Sequence, residues 1–121
     1  MQGGGQPNFV LGNKDANNVI SITYCGGWGY KSKADAFIQK VEKVLPGKFI
    51  YHYYREASMT GNFEVFAFFG TQTENDQGVH LYSKKATGQF PDDADALFET
   101  LTSQAKWLLS HLRNHTFQIR A

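Results

Sequence analysis

The residues best placed to do chemistry lie in the segment Tyr24–Lys33, whose sequence is YCGGWGYKSK. Cys25 is the single cysteine of the protein, and it stands where a strand pattern gives way to a helix pattern. At a glycine-rich turn before a helix N-terminus, backbone N–H groups and the helix dipole favour a thiolate. Redox sites of this kind carry a second redox residue three positions on, as in C-x-x-C, but here that position is Trp28. The segment therefore predicts thiol chemistry at Cys25 and makes residue 28 the main question about function.

Composition limits the class of protein. The 121 residues are enough for one core, and the formal net charge of +1 gives no sign of a nucleic-acid or membrane partner. A single cysteine excludes an intramolecular disulfide and argues against a disulfide-stapled secreted scaffold. The polar, glycine-rich N-terminus lacks the pattern of a signal peptide, and no apolar run approaches the length of a membrane span. We therefore expect a protein of the reducing cytoplasm that is a monomer or a weak dimer.

Periodicity predicts the elements that position Cys25. Residues 1–17 read as a flexible glycine-rich tail, residues 18–116 as one domain and residues 117–121 as a C-terminal tail. Strands are expected at residues 19–24, 49–54, 62–69 and 79–83. A helix follows the first strand, capped by Ser32 and ended by Pro46-Gly47. Its apolar face is formed by Ala34, Phe37, Ile38, Val41, Val44 and Leu45.

A second helix is expected to open at residues 90–93, with Asp92 or Asp93 as its cap and Asp95 at its acidic end. Its apolar face is formed by Leu97, Phe98, Leu101, Ala105, Leu108, Leu109 and Leu112. The first two strands and their helix form a βαβ unit, and the last two strands form an antiparallel hairpin. The order β-α-β-β-β-α predicts a thioredoxin-like α/β sandwich with a mixed four-stranded sheet and two main helices.

Three segments in the same order resemble the selenoprotein W family. Tyr24–Lys33 is similar to the family pattern Y-C-G-x-U-G-Y-x-x-K, in which U is selenocysteine, or cysteine in many members. Residues 57–65, ASMTGNFEV, are similar to A-T-G-x-F-E-V, and residues 80–85, HLYSKK, are similar to I-H-S-K-K. The resemblance covers roughly residues 19–113, whereas the long loop at 70–78 and the glycine-rich tail depart from the short family form.

The resemblance implies a thioredoxin-like fold and a redox pair formed by Cys25 and the residue at position 28. It also implies that Gly26 and Gly27 lie at the substrate site. The segment before the third strand faces the cysteine in thioredoxin-like folds, where it usually holds a cis-proline. No proline occurs there in this chain, which leaves substrate contacts to Met59, Thr60 and Gly61.

Trp28 falls at the family's selenocysteine or second-cysteine position, and two explanations are open. Selenocysteine is encoded by UGA, which some genetic codes read as tryptophan, so the native protein can carry selenocysteine at position 28. Alternatively, a single-base change from UGA to UGG gives a genuine tryptophan. The protein would then be a single-thiol or redox-silent member, because thiol–disulfide exchange within one chain needs a resolving partner.

Three functions follow from these readings. The first is a thiol or selenol oxidoreductase acting on thiol-containing small molecules or redox-regulated proteins, with glutathione as a co-substrate. The second is a monothiol protein that forms mixed disulfides at Cys25. The third is a thioredoxin-like binding module in which Trp28 contacts a partner. We expect no metal site, because His111 and His115 share a helix face but lack a third ligand nearby in sequence. A basic rim near the loop is expected from Lys31, Lys33, Lys84 and Lys85.

Overall fold

A computed structural model gives the fold, and the residues it describes are 6–25, 30–57, 61–76, 78–84 and 96–103. In chain order the elements are β1 Phe9–Gly12, β2 Asn18–Cys25, α1 Tyr30–Val44, β3 Ile50–Glu56, β4 Phe63–Phe69 and β5 Val79–Ser83. Residues 96–103 are helical and are called α2. Within these ranges no helix is both long enough and apolar enough to cross a bilayer.

The strands form one mixed sheet in the order β1-β3-β2-β4-β5. β2 and β3 are parallel and are joined through α1, so the predicted βαβ unit is confirmed. β4 is antiparallel to both β2 and β5, which confirms the predicted hairpin. Cys25 therefore ends the central strand, at the sheet edge from which the chain enters α1.

The prediction of a flexible tail over residues 1–17 is wrong for residues 9–12, and the sheet has five strands rather than the predicted four. Residues 9–12 form β1, a fifth strand that pairs antiparallel with β3. Its start is anchored by Asn8, whose side-chain oxygen accepts a 2.7 Å hydrogen bond from the Arg55 backbone N–H. At its end, Gly12 has a φ of 83° and a Cβ there would lie 2.6 Å from Phe49 O, so the chain can leave the sheet only through glycine.

The main core lies between one face of the sheet and the two helices. Four predicted positions of α1 are buried, but Val44 is 49% exposed and Leu45 only packs against the margin of the core. Ser32 does not cap α1, because the helix already begins at Tyr30. The core includes Ile20, Ile22, Tyr24 and Cys25 from β2, Tyr30, Ala34, Phe37, Ile38 and Val41 from α1, Phe49 before β3, Tyr51 and Tyr53 from β3, Phe63, Val65 and Ala67 from β4, Leu81 from β5, and Leu97 and Leu101 from α2.

Phe98, another predicted apolar position of the second helix, packs against the edge of this core. The remaining predicted positions of that helix have no described structure. Ala105, Leu108, Leu109 and Leu112 lie outside the described residues, as do the predicted caps Asp92 and Asp93 and the acidic Asp95.

The opposite face of the sheet is covered in part by the loop between β4 and β5. Gln72 donates hydrogen bonds of 2.7 and 2.6 Å to the carbonyl oxygens of Lys14 and Ala16. Asn18 joins the start of the same loop to the chain before β3, because its side chain donates to Lys48 O and accepts from Gly70 N–H, each at 2.9 Å. The described part of this loop, residues 70–76, is therefore attached to the sheet and to the chain before β2.

Candidate functional site

Cys25 is held in place by backbone pairing at the end of β2. It is 1% exposed and packs within the main core. Its N–H donates a 2.9 Å hydrogen bond to Asn62 O, the residue just before β4. On the other side, Cys25 is in register with Glu56 at the end of β3. Cys25 lies at the strand end, as the sequence predicted, and it is buried there.

The segment before β4 reaches this site through Gly61 and Asn62. Gly61 has a φ of 75°, a conformation that disfavours residues with a Cβ. The Asn62 amide donates to both carboxylate oxygens of Glu56, at 3.2 and 3.1 Å, and so ties the β3 end to the β4 start. The predicted proximity of Gly61 to Cys25 follows from this arrangement.

Two groups converge beside Gly61. A Cβ built on Gly61 would lie 3.7 Å from Lys84 Nζ and 3.7 Å from Tyr30 Oη. Tyr30 opens α1, is 6% exposed and stacks on Phe63 with the ring centres 6.3 Å apart. The position of Lys84 agrees with one member of the predicted basic rim.

The side chain of Lys31, a second member of that rim, contacts a different set of groups. Its Nζ lies 3.0 Å from Asp35 Oδ2 and stands over the rings of Phe9 and Tyr53, at 5.4 and 5.7 Å from their centres. Tyr53 Oη donates a 2.6 Å hydrogen bond to Asp35 Oδ1. Burial, and then this hydrogen bond to a carboxylate, raise the pKa of Tyr53 far above its ordinary value.

This cluster was missed by sequence reasoning, although the i, i+4 spacing of Lys31 and Asp35 on a helix was a usable signal. Tyr53 gave no such signal, because its meeting with Asp35 depends on how α1 packs on β3.

Tyr24, the residue before Cys25, carries an unusual hydroxyl group. The side chain is 1% exposed, and its Oη has no hydrogen-bond partner among the described residues. Burial raises the pKa of Tyr24, and the positive charges of Lys31 and Arg55 oppose that rise in part. The phenol therefore stays protonated and remains a hydrogen-bond donor in the residue next to Cys25.

Several predicted site residues cannot be placed. Gly26, Gly27, Trp28, Met59 and Thr60 lie outside the described residues, as does Lys85. The same holds for His111 and His115. Within the part of the chain that is described, no group of three or more His, Cys, Asp or Glu side chains could hold a metal ion.

Residues 19–103 match the Rdx family, a span that runs from the first residues of β2 through α2. The chain belongs to the Rdx family. The site in this Rdx protein thus lies at the strand–loop–helix junction of a region that the family match covers completely.

A solved structure supports the fold assignment. The chain is similar to a selenoprotein W-related protein from Vibrio cholerae, with a TM-score of 0.53 and 20% sequence identity over 73% of this chain and 96% of that chain. At this identity the likeness shows the fold, which confirms the predicted thioredoxin-like α/β class with its sheet enlarged to five strands. No curated protein matches the chain.

Proposed function

We propose that this Rdx protein is a thiol or selenol redox protein of selenoprotein W type, in which Cys25 and residue 28 form the reactive pair. The observation that carries the proposal is the position of Cys25 at the end of the central strand, directly before the loop that leads into α1. Family membership adds that this segment belongs to a thioredoxin-like protein of redox type.

The burial of Cys25 supports different roles for the two members of the pair. A thiol that is 1% exposed is poorly placed to attack a substrate first, because exchange rates depend on access to the sulfur. In a native protein with selenocysteine at position 28, the selenolate attacks a substrate disulfide, forms a selenium–sulfur bond and releases one thiolate. The Cys25 thiolate then attacks that selenium and releases the second substrate thiolate, which leaves an internal S–Se bond for an external dithiol, or two thiols, to reduce.

The sequence with tryptophan at position 28 favours a second function. Trp28 has no sulfur or selenium, so Cys25 lacks a resolving partner within the chain. A buried single thiol suits either slow mixed-disulfide formation or a redox-silent module whose Trp28 contacts a partner. For both functions we propose thiol-containing small molecules or redox-regulated proteins of the cytoplasm as partners, with glutathione among the thiols.

The first experiment is the mass of the peptide containing residues 25–30, isolated from protein made in its native host. A selenium isotope pattern at position 28 would support the two-centre mechanism. A peptide with unmodified tryptophan would exclude that mechanism and leave Cys25 as a single thiol. The codon of residue 28 provides an independent check, since UGG is incompatible with selenocysteine.

A further inference from the structure

β1 is an apolar strand at the edge of the sheet. Phe9, Val10 and Leu11 are 44%, 37% and 43% exposed, and they are three of the four exposed large apolar side chains among the described residues. No described strand pairs with the outer side of β1. Edge strands often carry a charged residue that prevents pairing with another chain, but residues 8–13, NFVLGN, contain none. The outer edge of β1 can therefore accept a further strand.

The hydrogen-bonding pattern of β1 directs the backbone of Val10 outward. In an antiparallel ladder, residues bonded to the neighbouring strand alternate with residues whose N–H and C=O point away from it. Asn13 N–H donates a 3.0 Å hydrogen bond to Phe49 O, which assigns the bonded positions to the odd-numbered residues. Asn8 departs from this alternation at the entry to the strand, where its N–H is bonded to Tyr53 O. Val10 therefore presents one donor and one acceptor to a strand that arrives from solvent.

The sequence of β1 is self-complementary in an antiparallel pairing centred on Val10. Val10 then lies opposite Val10 of a second copy, and Phe9 of each copy lies opposite Leu11 of the other, so apolar side chains meet on both faces of the extended sheet. The Val10 N–H and C=O of each copy bond to those of the other. A two-fold pairing of this kind uses both β1 edges at once and closes the assembly as a dimer.

The charges beside β1 agree with the antiparallel arrangement. Lys31 and Asp35 form a 3.0 Å ion pair beside the start of the strand. Glu42 lies beside the other end, where it accepts a 2.6 Å hydrogen bond from Tyr51, the register partner of Leu11. The two-fold pairing brings the Lys31 end of one copy to the Glu42 end of the other and keeps the two Glu42 carboxylates apart, whereas a parallel pairing would place them side by side.

We propose that β1 is a self-association surface through which two copies of this protein pair edge to edge, with Val10 on the two-fold axis. The two five-stranded sheets then become one continuous sheet. Only three apolar side chains per copy are covered, which is less than a stable dimer buries, so the dimer is weak and depends on concentration. The pairing makes no use of the Cys25 thiol and is independent of the proposed redox function.

Sedimentation equilibrium of the full chain from about 10 µM to about 1 mM measures the association. A reductant is present, and Cys25→Ser is run in parallel to exclude a disulfide-linked dimer. We expect the weight-average mass to rise toward that of a dimer. Val10→Pro should raise the dissociation constant at least about tenfold, because it removes the outward N–H and leaves the bonds between β1 and β3 in place. Val10→Thr keeps the N–H and the β-branched shape and should stay within about threefold of wild type.

A charge test uses Val10→Lys, which places two ammonium groups opposite each other at the two-fold axis. We expect a dissociation constant at least about tenfold above wild type at low salt, and a smaller difference at high salt, because salt screens the repulsion. Val44→Lys is the matched control, since Val44 is a valine of similar exposure, 49%, at the end of α1. The urea midpoint of each variant reports whether β1 still pairs with β3.

The register is read from intermolecular nuclear Overhauser effects in a mixture of ¹³C,¹⁵N-labelled and unlabelled protein. We expect contacts from Val10 to Val10 and from the Phe9 ring to the Leu11 methyl groups. A wild-type protein that stays monomeric at every concentration, a dissociation constant unchanged by Val10→Pro and Val10→Lys, or contacts through another surface would overturn the proposal. A monomer whose β1 amides shift when an uncharged extended peptide is added would also overturn it and would assign this edge to a strand of another protein.

Discussion

Two buried tyrosines that contact each other, Tyr24 and Tyr53, differ in whether their hydroxyl groups have a partner. Tyr53 Oη donates to Asp35 at 2.6 Å, whereas Tyr24 Oη has no partner among the described residues. Both rings are packed in the core and touch each other edge to face, with centres 5.7 Å apart. A buried hydroxyl without a partner opposes folding, whereas a hydrogen bond to a charged acceptor favours it.

Phenylalanine substitutions should therefore act in opposite directions at these two positions. We expect Tyr24→Phe to leave stability unchanged or raise it by about 1 kcal/mol, and Tyr53→Phe to lower it by about 1–2 kcal/mol, because only the second removes a formed bond. Urea unfolding of both variants measures the difference. A loss at Tyr24→Phe as large as that at Tyr53→Phe would mean that the Tyr24 hydroxyl has a partner in solution.

The residues of the site were predictable to different degrees. Cys25 and Gly61 were found because a strand end, a glycine-rich turn and collinear motifs are local signals. The orientation of the Lys31 side chain was not predicted. It depends on Phe9, and the sequence had been interpreted as a tail at that position. The sequence could not decide between a buried and an exposed Cys25 for a related reason, because exposure at a strand end is set by packing from distant segments.

Among the secondary-structure elements, β1 is the one that the sequence did not predict. Its apolar run is only three residues long, Phe9 to Leu11, and it follows a glycine-rich stretch, so local composition indicates a tail. What makes it a strand is the edge of β3, which offers backbone groups for pairing. The four strands of the predicted sheet were recoverable because β-branched and aromatic residues recur along each of them and turn residues separate them.

Removing β1 should destabilise the protein without abolishing the fold. We expect a chain that begins at residue 13 to lose about 2–4 kcal/mol, because several ladder hydrogen bonds and the cover over Tyr53 disappear. The midpoint of urea unfolding and the far-ultraviolet circular dichroism report stability and fold. A chain that begins at Gln6 keeps β1 and is the control; an equal midpoint for the two truncations would show that β1 does not pair in solution.

The loop between β4 and β5 is fastened to the sheet by Glu74. Its Oε2 accepts a 2.6 Å hydrogen bond from Tyr54 Oη and lies 2.7 Å from His52 Nδ1. Burial alone would raise the pKa of Glu74, but the hydrogen bonds from His52 and Tyr54, with a smaller contribution from Ser21, lower it below its usual value. The Ser21 hydroxyl faces this carboxylate without a well-formed bond.

Acid should weaken this attachment in a predictable direction. A carboxyl whose pKa is lowered on folding stabilises the protein above its unfolded pKa, near 4.5, and loses that contribution as the pH falls through the folded value. We expect Glu74→Gln to cost about 1–3 kcal/mol at pH 7 and progressively less below about pH 4.5. Urea unfolding from pH 7 to pH 3 tests this, with Asp76→Asn, an exposed carboxyl of the same loop, as the control. A difference between wild type and Glu74→Gln that stays constant with pH would contradict it.

For the molecule as a whole, the central position of β2 decides how Cys25 can react. β2 lies between β3 and β4, with the helices on one face and the long loop near the other, so most of it should open only when the whole protein unfolds. Cys25 is the last residue of the strand, and strand ends open more readily than strand interiors, so the backbone can open there separately. A redox role requires such a local opening, because the sulfur is buried.

We therefore expect the rate of Cys25 alkylation by neutral iodoacetamide to be independent of urea at low concentrations and to rise steeply only near the unfolding transition. Hydrogen exchange at the Ile20 and Ile22 amides should instead depend steeply on urea throughout, since these residues are exposed only by global unfolding. The rate for the fully denatured protein gives the reference. If Cys25 alkylation follows the Ile20 and Ile22 amides from zero urea upward, the thiol is reached only through the unfolded chain, and the redox-silent binding module becomes the better account of the protein with tryptophan at position 28.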